Sequence, residues 1–177
     1  GAIPSENPNM KLSDILALEL HTFVLEIEDI TDKATKEAKQ EETLKALEEA
    51  WSFIEFEMTL YKETDVPLVK LSDENFELLE NDQLTVQGMV TSRYQHFKPQ
   101  SIQWQKELNT ISDVTILLTD IQRMWSYLEP LFIGSEEVKR ELPQDAARFA
   151  EIDSQVKSIL HEMWNTKNVK IACNKEG

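Results

Sequence analysis

Side chains that could do chemistry are few and widely spaced in this 177-residue chain. The three histidines, His21, His96 and His161, stand far apart in the sequence, whereas a metal site needs clustered ligands. The residues from His161 onward begin like a zinc-protease helix, but Asn165 takes the place of the second histidine ligand. We therefore expect no metal site in this chain.

Nucleotide binding and covalent catalysis are disfavoured by residue type and spacing. A P-loop needs a glycine-rich turn followed by a lysine and a serine or threonine, but the four glycines are scattered at positions 1, 88, 134 and 177. Cys173 lies in a polar C-terminal stretch, and we interpret it as a buried or unreactive thiol rather than a nucleophile. We expect neither catalytic residues nor a cofactor, so the chain is not predicted to be an enzyme.

The charge of the chain narrows the class of partner. With 33 acidic and 18 basic residues, the formal net charge is −15, and so acidic a surface repels phosphate groups. Nucleic acid and membranes are therefore not expected as partners, and no apolar run approaches the roughly 20 residues that span a bilayer. The charge is typical of a solvated exterior; the alternative is a docking face for a basic partner.

Long helices are predicted because glycines are few and apolar residues recur at steps of three and four. One apolar series, expected to be the buried face of a first helix capped by Ser13 or Asp14, is Leu16, Leu20, Phe23, Ile27, Ile30 and Ala34. A second series is Leu44, Leu47, Trp51, Ile54, Met58 and Tyr61. Residues 31–43 are polar and lack proline and glycine, so the two series form either two helices or one long helix.

The pattern is interrupted at residues 62–71, where Pro67 and alternating apolar residues predict a small β-hairpin made with the end of the preceding segment. Ser72 then caps another helix. After Pro99 comes the strongest helical pattern, at Trp104, Leu108, Ile111, Val114, Leu118, Ile121, Trp125, Leu128 and Phe132. Gly134 stands where a helix end favours a left-handed residue. Ser135 restarts a short helix, and Pro143 begins the last one, with apolar positions at Phe149, Ile152, Val156, Ile159 and Met163.

These patterns predict an all-α protein, an elongated bundle of long antiparallel helices with at most one small β-hairpin near residues 56–71. The predicted core contains Trp51, Trp104, Leu118, Trp125, Leu128, Phe132 and Phe149. Residues 1–12 are predicted to be a flexible N-terminal segment, residues 13–164 the helical body, and residues 165–177 a C-terminal tail. Because the chain starts without a methionine, we expect it to be a piece of a longer one.

The segment at residues 121–132, IQRMWSYLEPLF, resembles a signature of dynein heavy chains. Further matches to that family stand in order on both sides of it: Ala34, Glu37, Leu44, Trp51, Ser92-Arg93-Tyr94, Trp104, Gly134-Ser135-Glu136-Glu137-Val138-Lys139, Glu141-Leu142-Pro143 and Arg148-Phe149. The ordered set covers nearly the whole chain, and its acidic GSEE and ARFAEID stretches resemble axonemal rather than cytoplasmic members. Pro130 departs from the small residue usual there, and we expect it to bend the end of the helix.

This resemblance implies the N-terminal half of the dynein linker, a rod of stacked helical bundles that lies across a ring of AAA+ ATPase modules. In that family the linker bends and straightens as the first module hydrolyses ATP, and so transmits force to the tail. The implied partners are the AAA+ ring of the same heavy chain and other dynein subunits, and the implied location is the ciliary or flagellar axoneme. The alternative function is a helical interaction module that binds a tail-associated or neighbouring dynein chain.

Two interruptions of the helical pattern are our candidates for contact with the ring, because both offer charged or aromatic side chains outside the apolar series. The candidate docking residues are Lys62, Lys70, Arg93, Tyr94, His96, Phe97 and Lys98. The alternative is that both are ordinary connecting loops, with Tyr94 and Phe97 covering the core.

Overall fold

The computed structural model describes residues 11–176, and the predicted flexible segment at residues 1–12 lies almost entirely outside them. Within the described residues the chain forms six helices and one two-stranded hairpin: α1 (Leu12–Phe53), β1 (Glu57–Leu60), β2 (Pro67–Lys70), α2 (Asp73–Val90), α3 (Lys98–Phe132), α4 (Glu136–Glu141), α5 (Pro143–Thr166) and α6 (Val169–Cys173). The predicted mainly helical fold with one small β-hairpin is confirmed.

The first apolar series and the first three residues of the second, Leu44, Leu47 and Trp51, belong to one helix, the 42-residue α1. The prediction that this helix continues is wrong beyond Phe53: Ile54, Met58 and Tyr61 lie in or beside the hairpin. No proline or glycine interrupts residues 12–53, so nothing breaks the backbone hydrogen bonding between them. The predicted cap is shifted by two or three residues: Lys11 is the N-cap, and the Asp14 carboxylate accepts a hydrogen bond of 2.9 Å from its backbone N–H.

The predicted burial of the first apolar series is wrong. Its large side chains are exposed: Leu16, Leu20, Phe23, Ile27 and Ile30. In α1 the buried side chains are confined to the C-terminal part, at Gln40, Leu47 and Trp51. The series identifies residues that share one face of a helix, but none of the described elements covers that face. The first half of α1 therefore extends beyond the core.

A glutamine of α3 bonds to the backbone of the hairpin. β1 pairs antiparallel with β2, with Glu57 opposite Lys70 and Leu60 opposite Pro67. The Gln122 Oε1 atom accepts a hydrogen bond of 2.8 Å from the Val69 N–H, and its Nε2 atom donates one of 2.9 Å to the Val69 carbonyl. Gln122 thus satisfies both backbone groups of a strand residue that lacks a neighbouring strand on that side.

The core surrounds α3, which packs against α2, α5, α6 and the hairpin, and it includes the C-terminal end of α1. Trp51, Trp104, Leu118, Trp125 and Phe149 are buried as expected, whereas Leu128 and Phe132 are only partly buried and pack against the core. The phenyl rings of Phe132 and Phe149 stack with centroids 5.4 Å apart.

The buried face of α5 is rotated from the predicted one. Ile152 and Ile159 are exposed, and Asp153 and Leu160 are buried in their place. The Asp153 carboxylate accepts a hydrogen bond of 2.8 Å from the Trp125 indole N–H and lies 2.9 Å from the Lys157 ammonium. These two partners allow a charged residue to occupy the buried face.

The segment predicted as a C-terminal tail is packed against the end of α1. The Phe56 N–H donates to the Lys167 carbonyl at 3.0 Å, and the Val169 N–H donates to the Ile54 carbonyl at 3.0 Å. Val169 and Cys173 are both buried. Residues 165–176 therefore contain the last two residues of α5 and the helix α6, which contributes to the core.

The end of α3 depends on a close approach between Pro130 and Gly134. Pro130 lies inside the helix, which continues to Phe132, and a Cβ added at Gly134 would lie 2.8 Å from the Pro130 carbonyl oxygen. Gly134 does not have the left-handed backbone that we predicted for it. Glycine is required here for lack of space.

We expect Trp125→Ala to lower the free energy of unfolding by about 3–5 kcal/mol, because it removes a buried indole and one of the two donors that Asp153 has. Tyr127→Ala is the matched control, since Tyr127 is exposed on the same helix and a surface change costs within about 0.5 kcal/mol. Urea unfolding followed by circular dichroism measures both. A loss below about 0.5 kcal/mol for Trp125→Ala would contradict its assigned role in the core.

Replacing each of the two described glycines with alanine should change the stability of the chain in opposite directions. Gly134→Ala should destabilise by about 1–3 kcal/mol, because the new methyl group meets backbone that cannot move freely. Gly88→Ala should stabilise by about 0.5–1 kcal/mol, because Gly88 lies inside α2 with nothing within 4 Å of an added Cβ. Thermal unfolding of the two variants beside the parent chain tests both signs. Equal effects would mean that the approach to Pro130 imposes no constraint.

Candidate docking surfaces

Lys62 and Lys70 lie at opposite ends of the hairpin. Lys62 is in the turn with a positive φ of 49°, and its ammonium lies 5.0 Å from the centroid of the Tyr61 ring. Tyr61 itself is buried and its hydroxyl is 3.2 Å from Glu129 Oε2. Lys70 ends β2 with its side chain exposed. Two exposed cations thus flank a rigidly held hairpin.

Arg93 and Tyr94 contact α1 through one carboxylate. The Arg93 Nη2 atom lies 3.3 Å from Asp32 Oδ2 and 2.7 Å from the Tyr94 hydroxyl oxygen, and the Tyr94 hydroxyl donates to the same Asp32 carboxylate. The Tyr94 hydrogen bond is the main reason that the pKa of Asp32 is lowered, with Lys36 and Arg93 adding to the effect. The loop between α2 and α3 therefore touches the protruding half of α1.

The remaining candidates form the start of α3. The His96 and Phe97 rings meet edge to face with centroids 4.7 Å apart. Phe97 is the N-cap of α3 and Lys98 its first residue, and both are half-buried. Of the seven candidates, the structure brings Arg93, Tyr94 and His96 together beside α1, while Lys62 and Lys70 lie apart on the hairpin.

Sequence reasoning missed a cation at the junction of three helices. The Lys170 ammonium lies 4.3 Å from the centroid of the Trp104 ring, 3.3 Å from Glu107 Oε2 and 3.7 Å from Glu48 Oε2. These partners belong to α3 and α1, whereas Lys170 is on α6. No sequence signal connects Lys170 with residues so distant in the chain.

Two indole–carboxylate pairs, one buried and one partly buried, were also missed. The Trp51 indole donates to Asp82 Oδ2 at 2.9 Å, as Trp125 does to Asp153. Burial raises the pKa of Asp82, and the indole hydrogen bond partly opposes that shift. Spacings of 31 and 28 residues give no local motif, so only the fold reveals the pairs.

The described residues hold no group of three histidine, cysteine, aspartate or glutamate side chains placed to bind a metal ion. In the same part of the chain, no helix has the length and apolar character needed to cross a membrane. Burial raises the pKa of Cys173 to about 12, which keeps its thiol protonated at neutral pH. The charged and aromatic side chains described above thus either connect helices to one another or lie on exposed surfaces.

This architecture defines a helical scaffold segment, with two long helices, a small hairpin and contacts formed by surface side chains. Residues 2–177 match the family model described as dynein heavy chain, N-terminal region 2. The chain belongs to the dynein heavy chain family.

Several relatives share the similarity over almost the whole chain. The chain is 49% identical over 173 residues, 97% of its length, to the dynein alpha chain of the flagellar outer arm from Chlamydomonas reinhardtii. It is 42% identical over 93% of its length to a ciliary dynein beta chain from Tripneustes gratilla. Over 94% of its length it is 38% identical to dynein axonemal heavy chain 17 from Homo sapiens. The chain spans 4% of the length of each of these relatives.

The buried thiol gives a chemical prediction. With its pKa at about 12, against an ordinary value of 9.0, Cys173 in the folded chain should react with iodoacetamide at pH 8 on the order of a thousandfold more slowly than in urea, because the thiolate fraction falls by that factor. Mass spectrometry of quenched samples measures the rates.

The same shift has a defined effect on stability. Because the folded pKa lies above the unfolded one, burial of the neutral thiol contributes fully below pH 9 and is lost as the pH rises from 9 towards 12. Cys173→Ser removes this titration and serves as the control. Fast alkylation of the folded chain would contradict the assigned burial.

Proposed function

We propose that this chain is a mechanical segment from the N-terminal half of a dynein linker, and that it transmits the conformational change of an AAA+ ring to the tail of an axonemal heavy chain. The observation that carries the proposal is the pairing of the family match with two long continuous helices, α1 of 42 and α3 of 35 residues. Packed helices resist bending because close-packed interiors transmit strain. A force-transmitting element needs that stiffness.

Reversible docking on the ring needs weak polar contacts that can be broken in each cycle. The hairpin supplies the better candidates, since Lys62 and Lys70 are exposed and their hairpin is fixed to α3 through Gln122. Arg93 is a weaker candidate, because its guanidinium already lies beside Asp32 of α1. Docking at Arg93 would have to replace that contact, which costs little at an exposed site.

A second candidate function is an interaction module that binds a tail-associated or neighbouring dynein chain. The exposed apolar face on the first half of α1 favours it. Large contiguous apolar patches that are exposed on a protein mark sites of contact with other proteins. The two functions are compatible, because they use the hairpin and α1 respectively.

The docking proposal is tested in the complete motor. Lys62→Ala/Lys70→Ala should slow microtubule gliding by about twofold or more, while basal ATP hydrolysis changes much less, because docking contacts affect force transmission and not the ATP sites. Arg93→Ala/Lys98→Ala should have a smaller effect. Gliding velocity and ATPase rate are measured on the same preparations.

Lys106→Ala/Arg140→Ala is the matched control, since both residues are exposed elsewhere on the chain and the same two charges are removed. If gliding is unchanged in both docking variants, or slowed equally in the control, neither loop is the docking surface.

A further inference from the structure

The first half of α1 presents a continuous apolar face. The exposed fractions along it are 49% for Leu16, 64% for Leu20, 59% for Phe23, 59% for Ile27 and 66% for Ile30. Steps of four and three residues place all five on one side of the helix. From Leu16 to Ile30 the face is about 21 Å long at 1.5 Å per residue, which is long enough to receive a helix of four turns.

One flank of this face is negatively charged, and the other carries no charge. In heptad terms, Glu19 and Glu26 border it on one side, while Ala17, Val24 and Thr31 border it on the other. Residues 12–32 contain no lysine or arginine, and their acidic residues are Asp14, Glu19, Glu26, Glu28, Asp29 and Asp32. The apolar face therefore lies in a strongly negative field.

A second copy of this chain is a poor occupant for the face. In a parallel pair, Glu19 and Glu26 would face Val24 and Thr31 of the other copy, which offer no opposite charge. In an antiparallel pair the glutamates would face each other and repel. A helix with lysine or arginine beside its apolar residues places a cation opposite each glutamate. The flanking charges thus select against self-association and in favour of a basic partner.

We propose that this face of α1 is a docking site for an amphipathic helix of a separate polypeptide, which carries lysine or arginine beside its apolar stripe. Phe23, in the middle of the face, is the main apolar contact, because large aromatic side chains near the centre of an interface contribute most to binding. The negative field accelerates encounter with a basic partner in solution. This inference rests on the second candidate function, for which it names the partner chemistry, and it does not depend on the linker function.

The probe is a synthetic helical peptide of three heptads, with leucine and isoleucine on its apolar face and lysine at both flanking positions. Its fluorescence anisotropy should show saturable binding to the chain. The matched peptide with glutamate at the flanking positions should bind at least about tenfold more weakly. Equal binding of the two peptides would overturn the proposal, because the flanking charges would then select nothing.

Variants of α1 test whether the peptide binds to the proposed face. Ile27→Asp should reduce affinity for the lysine peptide by about tenfold or more, because it puts a charge in the apolar contact. Leu25→Asp adds the same charge to an exposed apolar residue on the opposite side of α1 and should leave affinity within about twofold. Both residues lie outside the core, so circular dichroism should show unchanged helicity. Equal losses would mean that the peptide binds elsewhere.

Charge-reversal variants distinguish pairing of the peptide lysines with Glu19 and Glu26 from a general attraction between a basic peptide and an acidic chain. Glu19→Lys/Glu26→Lys and Glu28→Lys/Asp29→Lys each add four charges, so both move the net charge from −15 to −11. Only the first pair borders the apolar face. The first pair of substitutions should lower the affinity for the lysine peptide and raise the affinity for the glutamate peptide, each by about tenfold. The second pair should lower the affinity for the lysine peptide by about twofold. Equal responses would overturn the proposal in favour of non-specific attraction.

Two further outcomes would assign the face to another occupant. If sedimentation velocity shows a dimer of the chain, and Ile27→Asp abolishes that dimer, the occupant of the face is a second copy of the chain. Hydrogen exchange can also be measured on a complete heavy chain. Protection of residues 16–30 before any peptide is added would identify a segment of the same chain as the occupant of the face. Either result contradicts a separate basic helix, and the expected results are a monomer and protection only when the lysine peptide is present.

Discussion

The buried contact between Trp125 and Asp153 is the interaction on which the rest of the core depends. The indole N–H of α3 donates to the carboxylate of α5 at 2.8 Å, and the Tyr61 ring of the hairpin turn packs edge-on against the same indole, with centroids 4.7 Å apart. One side chain thus joins three elements. A buried indole N–H without an acceptor, or a buried carboxylate without a donor, would cost on the order of 1–3 kcal/mol, so the register of α5 on α3 is set by this pair.

The hairpin obtains its position from the same helix. Gln122 lies one turn before Trp125 and bonds both backbone groups of Val69, so a strand edge that would otherwise need water or another strand is satisfied by α3. Lys62 and Lys70 are therefore held in place by buried contacts although they are themselves exposed. This arrangement supports the proposed docking role, because contacts at the two lysines could form and break without changing the core.

The two ends of α1 have different environments. Its C-terminal part is fixed to α2 by the hydrogen bond from the Trp51 indole to Asp82, and its end is joined to α6 by the backbone bond between Ile54 and Val169. Its first half is touched at Asp32 by Arg93 and Tyr94. Those polar contacts are exposed and contribute little to stability. The extension persists as a helix because its residues have no breaker among them, and its apolar face stays open to a partner.

Sequence alone determined the elements and the family, and tertiary structure decided which faces are covered. The three- and four-residue steps identified the helices, Ser72 and Ser135 accept the hydrogen bonds expected of N-caps, and the IQRMWSYLEPLF signature pointed to dynein heavy chains. Periodicity states which residues share a face, but burial needs a second surface brought from far along the chain. For that reason the apolar face of α1 is exposed, the face of α5 is rotated towards Asp153, and Cys173 is buried. Each of these outcomes rests on contacts between residues that no local pattern connects.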